Sequence, residues 1–274
     1  MDAQDRRKRM RETFDAVSPG YDNPALRFFS ETARCLAGYL DVTDGSCVLD
    51  AATGTGNVAL EVARRLPGVK VTGIDFSAGM LRQAKTKASA AGLGNAEFLE
   101  MDMQEIAFAD DYFDAAVCSF GVFFADDMMH QLRLMAAKVR PGGRVIVTGF
   151  HEDAFRPLMD IFGDHLERYG IERPSLKWKL ISTPSRCEAL FREAGLSDIR
   201  VDRRDHGYFL RDAGEWWDVI WNAGLRSRVS QLSPENLRRF REEHLHAVER
   251  TRTEDGIRLN IEVLYTSGVK AAQE

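Results

Sequence analysis

An aspartate followed by two closely spaced glycines is the pattern in this sequence that most clearly predicts a binding site. It reads Asp50-Ala51-Ala52-Thr53-Gly54-Thr55-Gly56 and follows the short apolar run Cys47-Val48-Leu49. Apolar residues from Val58 to Leu66 then recur at helical spacing, so the loop joins a strand to a helix. Glycines let a backbone approach a ligand closely, and the free N–H groups of the helix start face the same point. The pattern predicts a nucleotide-type cofactor at the carboxyl end of the first strand.

The loop alone leaves two cofactor classes open. Gly54-Thr55-Gly56-Asn57-Val58-Ala59 also satisfies the dinucleotide pattern G-x-G-x-x-G/A. Asp75 ends the second predicted strand, 19 residues after Gly56, where an acid can hold ribose hydroxyls in either class. A nicotinamide-dependent oxidoreductase therefore stays open at this point, beside a protein that binds a cofactor without catalysis.

Three further features favour a cofactor that carries an aminoacyl group. Asp50 precedes the glycines, and a carboxylate there can meet an ammonium group but would repel a pyrophosphate. Asp102 and Met103 follow the third predicted strand, where the acid can accept the amino group of adenine and the polarizable methionine can cover the ring. None of the tyrosines is followed four residues later by lysine, so the Tyr-x-x-x-Lys pair of dehydrogenases is missing.

These motifs resemble those of class I S-adenosylmethionine-dependent methyltransferases, and most closely the ubiquinone/menaquinone-biosynthesis-type (methyltransferase type 11) group. The resemblance covers roughly residues 10–150, and Ala52 departs from it by standing where many members have a first glycine. It is carried by residues 48–57, Gly73-Ile74-Asp75-Phe76-Ser77, Met80-Leu81, Asp102-Met103, residues 132–147 with the turn Arg140-Pro141-Gly142-Gly143, and Phe14 to Asp22, which resembles the lid of that group.

The resemblance implies that S-adenosyl-L-methionine is the cofactor, and it gives each matching position a role. The loop would hold the methionine part, Asp75 the ribose hydroxyls, and Asp102 with Met103 the adenine. Ser119 and Phe120 would contact the methionyl end, and Tyr21 would close over the cofactor. The full set of expected cofactor-binding residues is Tyr21, Asp50, Ala51, Gly54, Gly56, Asp75, Phe76, Met80, Asp102, Met103, Ser119 and Phe120.

Methyl transfer from a sulfonium requires alignment above all, since the nucleophile must sit about 3 Å from the methyl carbon and opposite sulfur. A base is needed only if the nucleophile carries a proton with a high pKa, so the absence of an obvious catalytic residue is expected. The candidate bases are His151, at the end of the fifth predicted strand, and His206. No spacing of metal ligands is present, and no metal is expected.

Aromatic residues crowd the second half of the chain and predict an acceptor pocket there. All four tryptophans follow residue 177, and two of them lie four residues apart on one helix face. Such walls suit a small aromatic or apolar acceptor. The candidate acceptor contacts are Phe124, Trp178, Trp217 and Trp221, with Phe123 beside them. The run Arg238-Arg239-Phe240-Arg241 is interpreted as a solvated helix face.

The strands and helices that position these residues alternate along the sequence. Strands are predicted at 47–49, 69–74, 98–101, 113–119, 144–150, 199–210 and 257–265, with helices between most of them. They predict an α/β fold: a Rossmann-like, mostly parallel seven-stranded sheet with helices on both faces. Residues 1–45 are expected to form a helical lid, and residues 46–274 the methyltransferase domain, with helical cap insertions at about 151–185 and 211–252.

Composition limits the partners. A net charge of −5 and a pI near 5.8 argue against a nucleic-acid partner, which requires a basic face. The sequence shows no secretory signal and no apolar stretch long enough to span a bilayer. Four scattered cysteines (Cys35, Cys47, Cys118 and Cys187) are expected to be reduced thiols. A cytoplasmic protein that acts on a small molecule is the expectation, with its oligomeric state open.

Overall fold

The computed structural model describes residues 3–271; residues 1–2 and 272–274, at the ends of the expected segments 1–45 and 46–274, lie outside the described residues. The strands are β1 (Cys47–Ala51), β2 (Lys70–Asp75), β3 (Ala96–Glu100), β4 (Phe113–Ser119), β5 (Val139–Phe150), β6 (Leu196–Asp205), β7 (Tyr208–Leu210), β8 (Ile257–Leu259) and β9 (Glu262–Lys270). The α-helices are α1 (Ala3–Val17), α2 (Phe28–Ala37), α3 (Asn57–Arg65), α4 (Ala78–Ala90), α5 (Met128–Lys138), α6 (Leu158–Arg168), α7 (Pro184–Glu193), α8 (Ala213–Trp221), α9 (Arg226–Val229) and α10 (Pro234–Glu249).

Seven strands form one sheet in the order β3-β2-β1-β4-β5-β9-β6. β1 pairs in parallel with β2 on one side and with β4 on the other, and β9 runs antiparallel to both of its neighbours. The predicted mostly parallel seven-stranded sheet is confirmed. The strand order reverses at β1, and open sheets of this kind bind ligands outside the carboxyl ends of the strands at that point.

Local sequence explains the helices nearest to this point. The buried residues of α3 are Val58, Ala59, Val62 and Ala63, which recur at helical spacing and face the sheet. α3 ends at Arg65, just before Pro67, which cannot continue a helix. α4 follows β2 directly, and the Ser77 hydroxyl accepts the N–H of Met80 as its N-cap. Both helices therefore begin at the same edge of the sheet.

Two predictions of a single continuous strand are wrong. The predicted strand 199–210 is divided into β6 and β7, and the predicted strand 257–265 into β8 and β9. β7 and β8 pair with each other in a separate two-stranded sheet. The Asp205 carboxylate accepts the N–H of Gly207, a local hydrogen bond that bends the chain out of the large sheet. Apolar residues alternate from Ile257 through Ile261 to Tyr265, so the break between β8 and β9 leaves no signal in the sequence pattern.

The N-terminal segment of residues 3–40, called the lid segment below, lies along the edge of the sheet where the strands end. It contains α1, two short 3₁₀ turns and α2. The Asp15 carboxylate accepts the Ser77 hydroxyl at 2.6 Å and the N–H of Gly79 at 2.8 Å, which fixes α1 to the start of α4. A side chain at Gly79 would come within 2.9 Å of the Asp15 carboxylate, so glycine permits this approach.

Helices of the second half surround the far strands. α6 falls in the expected insertion 151–185, and α8, α9 and α10 fall in the expected insertion 211–252. Ser233 caps α10 as its sequence predicted, accepting the N–H of Asn236 at 3.3 Å. No helix within residues 3–271 has both the length and the apolar character needed to cross a membrane.

Candidate active site

A cleft lies over the carboxyl ends of β1, β2 and β4, closed from above by the lid segment. It encloses about 660 Å³, including space open to solvent. A smaller adjoining cleft shares Tyr21, Ala52, Gly54, Ser119 and Phe120 with it and adds Asp50.

Asp50 lies at the methionine end that the resemblance implies. Its Oδ2 accepts the Thr53 hydroxyl at 2.6 Å and the N–H of Ala59 at 3.1 Å. Its Oδ1 is buried and has no hydrogen-bond partner. Burial raises the pKa of Asp50 to about 7, although the Thr53 hydroxyl and the Ala59 N–H both lower it. An unpaired buried carboxylate oxygen is costly, and an ammonium group in the cleft would satisfy it.

Asp75 and Gly54 form the next part of the cleft. The Asp75 carboxylate accepts the N–H of Gly54 and the N–H of Ser77, both at 2.9 Å. Burial raises the pKa of Asp75 to about 6, against these two N–H groups, which lower it. Gly54 adopts a φ of +56°, and no atom lies within 4 Å of where its Cβ would be. The backbone is therefore open to a ligand, and the acid beside it can accept ribose hydroxyls.

The part of the cleft where the resemblance implies adenine combines one acid with apolar side chains. Met80 and Met103 are buried and line the cleft together with Phe76 and Asp102. The Oδ1 of Asp102 accepts the N–H of Gln104 at 2.9 Å, which turns the carboxylate toward the cleft. Flat apolar walls with one acceptor suit a purine that offers an amino group.

Aromatic rings from the lid segment and from the loop after β4 cover the rest of the cleft. Phe14 packs edge-on against Phe124 at 5.3 Å, and Tyr21 stacks on Phe29 at 4.9 Å. Phe120 lines both clefts with a φ of +52°, a left-handed conformation that non-glycine residues adopt at some cost. Burial, and then the charge of Asp75, raise the pKa of Tyr21 well above its ordinary value, so its hydroxyl stays protonated.

The structure does not bring two of the expected loop residues to the cleft. Ala51 is fully buried within β1. Gly56 has a φ of +82°, and a Cβ there would lie 3.0 Å from the Ala84 side chain and 3.1 Å from the Phe98 ring. Gly56 is therefore required for packing of the loop onto α4 and β3, and a contact of its backbone with the cofactor stays a prediction.

Neither candidate base lies in the cleft lining. His151 is buried, with its Nδ1 3.2 Å from the Glu262 carboxylate, and its backbone N–H bonds to the Glu262 carbonyl. The Nε2 of His206 lies 2.7 Å from the Tyr265 hydroxyl, and burial lowers the pKa of His206. His206 is occupied by Tyr265 on β9, and His151 lines neither cleft, so the expected role of His151 as a base stays a prediction.

The tryptophans also lie elsewhere, because they pack the second half of the chain together. Trp178 is buried against the Phe150 ring at 5.7 Å, and Trp217 stacks on Trp221 at 6.1 Å. Of the four expected acceptor contacts, only Phe124 lines the cleft. Phe155 and Phe162, within the expected insertion 151–185, are also buried. The aromatic wall of the cleft consists of phenylalanines and Tyr21 rather than tryptophans.

Several residues that line the cleft could not be recognised from the sequence as contacts. Arg7, Met10 and Phe14 come from α1, and Gln104 and Gly121 come from loops. A Cβ at Gly121 would lie 2.8 Å from the Ala52 side chain, so this glycine lets the two loops meet. Of these residues, only Phe14 belongs to a motif recognised in the sequence, the lid-like segment. The others could not be predicted, because no local pattern shows where a helix docks. Within residues 3–271, no group of three or more histidine, cysteine or acidic residues could hold a metal ion.

Comparison with known proteins agrees with this geometry. Residues 48–143 match the family model described as "Methyltransferase domain". A demethylmenaquinone methyltransferase of Bacillus cytotoxicus is 31% identical over 220 residues, covering 72% of this chain and 91% of that protein. The ubiquinone/menaquinone biosynthesis C-methyltransferase of Geotalea daltonii is 36% identical over 154 residues, and the chain covers 66% of its length, just under two thirds.

The chain therefore belongs to the class I S-adenosylmethionine-dependent methyltransferases, in the group that contains these quinone-biosynthesis enzymes. S-adenosylmethionine is its cofactor, and these relatives give no support to the nicotinamide-dependent alternative. Among solved structures, the YcgJ protein of Bacillus subtilis has a TM-score of 0.60 at 19% identity, over 89% of this chain and all of that one. The [4+2]-cyclase SpnF has a TM-score of 0.59 at 19% identity, over 89% of this chain and 82% of that one. These similarities show the fold alone.

Proposed function

We propose that this methyltransferase acts on a small, uncharged, hydroxylated aromatic ring and transfers the methyl group to a ring carbon. The observation that carries the proposal is the aromatic part of the cleft lining away from the acids, which includes Phe14, Tyr21, Phe120 and Phe124. Aromatic walls favour a flat apolar acceptor through burial and ring stacking. The cofactor would lie along Asp50, Asp75 and Asp102, with the acceptor on the aromatic side.

The ionisable residues of the lining restrict the chemistry. Among the described residues they are Arg7, Tyr21, Asp50, Asp75 and Asp102. The three acids are assigned to the cofactor, and the Tyr21 hydroxyl stays protonated because its pKa is raised. The acceptor must therefore be nucleophilic without a strong protein base. A hydroxylated ring meets this requirement, since its oxygen increases electron density at the neighbouring carbons.

The residues of the chain would contribute binding and orientation. When bound, S-adenosylmethionine supplies a methyl group on a positively charged sulfur, which leaves as a neutral thioether. Asp50 would fix the aminoacyl end and Asp75 the ribose, so that the methyl group faces the aromatic side of the cleft. Phe14 and Phe124 would hold the ring for in-line attack. A carbon–carbon bond forms as the carbon–sulfur bond breaks, and the ring carbon then releases its proton to water.

The names of the relatives support an aromatic ring as the methyl acceptor. They are a demethylmenaquinone methyltransferase and a ubiquinone/menaquinone biosynthesis C-methyltransferase. Fold similarity carries less weight, since one neighbour of the same fold is a [4+2]-cyclase. The lid role of residues 1–45, the cap role of the two insertions and a cytoplasmic location belong to this proposal as predictions.

The test is a methylation assay with radiolabelled S-adenosylmethionine and a panel of acceptors. The panel contains naphthohydroquinones, simple phenols, aliphatic amines and carboxylates, each with mass analysis of the product. We expect hydroquinones and phenols to be methylated at carbon, and the charged aliphatic acceptors to be inert. Methylation confined to amines or carboxylates would refute the acceptor class. No binding of S-adenosylhomocysteine in a calorimetric titration would refute the cofactor assignment.

A further inference from the structure

Among residues 3–271, one cationic side chain lies in the cleft lining, and it comes from the lid segment. The Arg7 Nε lies 3.1 Å from the Asp126 carboxylate. Its Nη1 lies 3.2 Å from the Glu105 carboxylate and 3.8 Å from the Asp102 carboxylate, the second an ion-pair distance too long for a hydrogen bond. The side chain of Arg7 is 35% exposed and that of Asp102 is 19% exposed. Arg7 thus joins α1 to the acid expected at the adenine end.

A closed set of contacts surrounds this arginine. The N–H of Gln104 donates to Asp102, and the Oε1 of Gln104 accepts the N–H of Asp126, each at 2.9 Å. Asp126, Gln104 and Asp102 belong to two different loops, one after β3 and one before α5. Through its contacts with these loops, Arg7 links the lid segment to both of them. Its planar fork can address two carboxylates at once, which the single ammonium of a lysine cannot do in the same geometry.

We propose that Arg7 is a positioning residue that couples closure of the lid segment to binding of the adenine end of the cofactor. Arg7 holds the Asp102 carboxylate in the orientation that accepts the adenine amino group, and the same contact keeps α1 over the cleft. A ligand that engages Asp102 then favours the closed lid, and a closed lid favours the ligand by the same factor. This inference rests on the cofactor placement in the proposed function.

The contacts of Arg7 should affect ligand affinity more than folding. Exposed ion pairs contribute little to the stability of a protein, and Glu105 is 75% exposed. Arg7→Gln keeps a polar side chain but shortens it and removes its charge and its fork. Arg9→Gln is the matched control, because Arg9 is exposed on the same helix and is not among the residues that line the cleft.

The experiment measures binding of S-adenosylhomocysteine and of 5′-methylthioadenosine, which has the adenine and ribose but no aminoacyl group. We expect Arg7→Gln to weaken both ligands by a similar factor, roughly two- to fivefold, as for the loss of one partly exposed ion pair. We expect a faster dissociation rate, an unfolding midpoint close to that of the wild type, and a change of less than twofold in Arg9→Gln. Arg7→Lys should recover only part of the affinity. Equal affinities in Arg7→Gln and Arg9→Gln would overturn the inference.

A double variant tests whether Arg7 acts through Asp102. If it does, Arg7→Gln combined with Asp102→Asn binds S-adenosylhomocysteine no more weakly than Asp102→Asn alone. Additive losses would overturn the coupling to Asp102. A wild-type protein that binds neither ligand would instead refute the proposed function, so the two failures are distinguishable.

Discussion

The buried carboxylate of Asp50 leads to a prediction in which stability and binding change in opposite directions. Asp50 is 1% exposed, and burial raises its pKa from 3.8 to about 7. Because the pKa is raised in the folded protein, the stability contribution of this group is fully present below pH 3.8. It is lost progressively as the pH rises through about 7. Ionised Asp50 therefore costs the ligand-free protein about 4 kcal/mol at pH 8.

Asp50→Asn removes this cost but introduces a smaller one. The amide oxygen can accept the Thr53 hydroxyl and the Ala59 N–H in place of Oδ2. The amide NH₂ then occupies the position of Oδ1, which has no partner, at a cost of about 1–3 kcal/mol. The net expectation at pH 8 is a variant more stable than the wild type by about 1–3 kcal/mol. A chain of this size gains about 2–4 °C in Tm for each kcal/mol.

Binding should change in the other direction. Loss of the carboxylate that meets the cofactor ammonium should weaken S-adenosylhomocysteine by about tenfold to a hundredfold, since a hydrogen bond to a charged group is worth about 1.5–3 kcal/mol. The affinity of the wild type should also fall below pH 7, where Asp50 takes up a proton in the free protein. Binding of 5′-methylthioadenosine, which has no aminoacyl group, should be unaffected by the substitution.

The assay is urea unfolding between pH 4 and 9 with calorimetric titration at pH 8. The control is Asp41→Asn, an exposed aspartate in the segment before the same strand, which should leave both measurements unchanged. The advantage of Asp50→Asn should disappear near pH 4, where the wild-type carboxyl is mostly protonated. The reasoning is refuted if Asp50→Asn is less stable than the wild type at pH 8 and binds S-adenosylhomocysteine equally well.

Three further predictions concern the ribose anchor, the acceptor wall and a buried histidine. Asp75→Ala should lower the affinity for S-adenosylhomocysteine about tenfold or more in calorimetric titration, because it removes a charged acceptor. Phe124→Ala should raise the KM for the acceptor while leaving the Kd of S-adenosylhomocysteine within about twofold, because it removes apolar contact from the acceptor side alone. Burial, and then the neighbouring His165, lower the pKa of His244 to about 3. The stability associated with neutral His244 is therefore present above pH 6.5 and lost as the pH falls toward 3, by about 2 kcal/mol at pH 5. His244→Gln should abolish this loss in urea unfolding at pH 5 and 7.5.

Each of these predictions has a control or a contrary outcome. Unchanged affinity in a folded Asp75→Ala protein would show that the ribose contact is misassigned. A larger effect of Phe124→Ala on the cofactor than on the acceptor would place that ring at the wrong end of the cleft. For the buried histidine, the exposed His246 on the same helix provides the control, since His246→Gln should leave the acid sensitivity intact.

The parallel sheet, and the edge of the sheet at which the clefts lie, could be predicted from the sequence alone. Helical spacing after Gly56 and strand patterns before Asp50 and Asp75 are local properties, because each element is encoded by neighbours along the chain. Since the carboxyl ends of parallel strands share one edge, Asp50, Asp75 and Asp102 were expected together without any structure, and they line adjoining clefts.

The tertiary structure decided which side chains face that edge. The tryptophans of α8 and the turn at residues 177–181 have the composition of a pocket wall but pack against helices and the sheet. His151 and Gly56 stand at promising positions in the sequence, yet one is held by Glu262 and the other is required for packing. Arg7 reaches the cleft only because α1 docks across residues more than 90 positions away. Such contacts depend on how distant segments fit together, which local spacing does not encode.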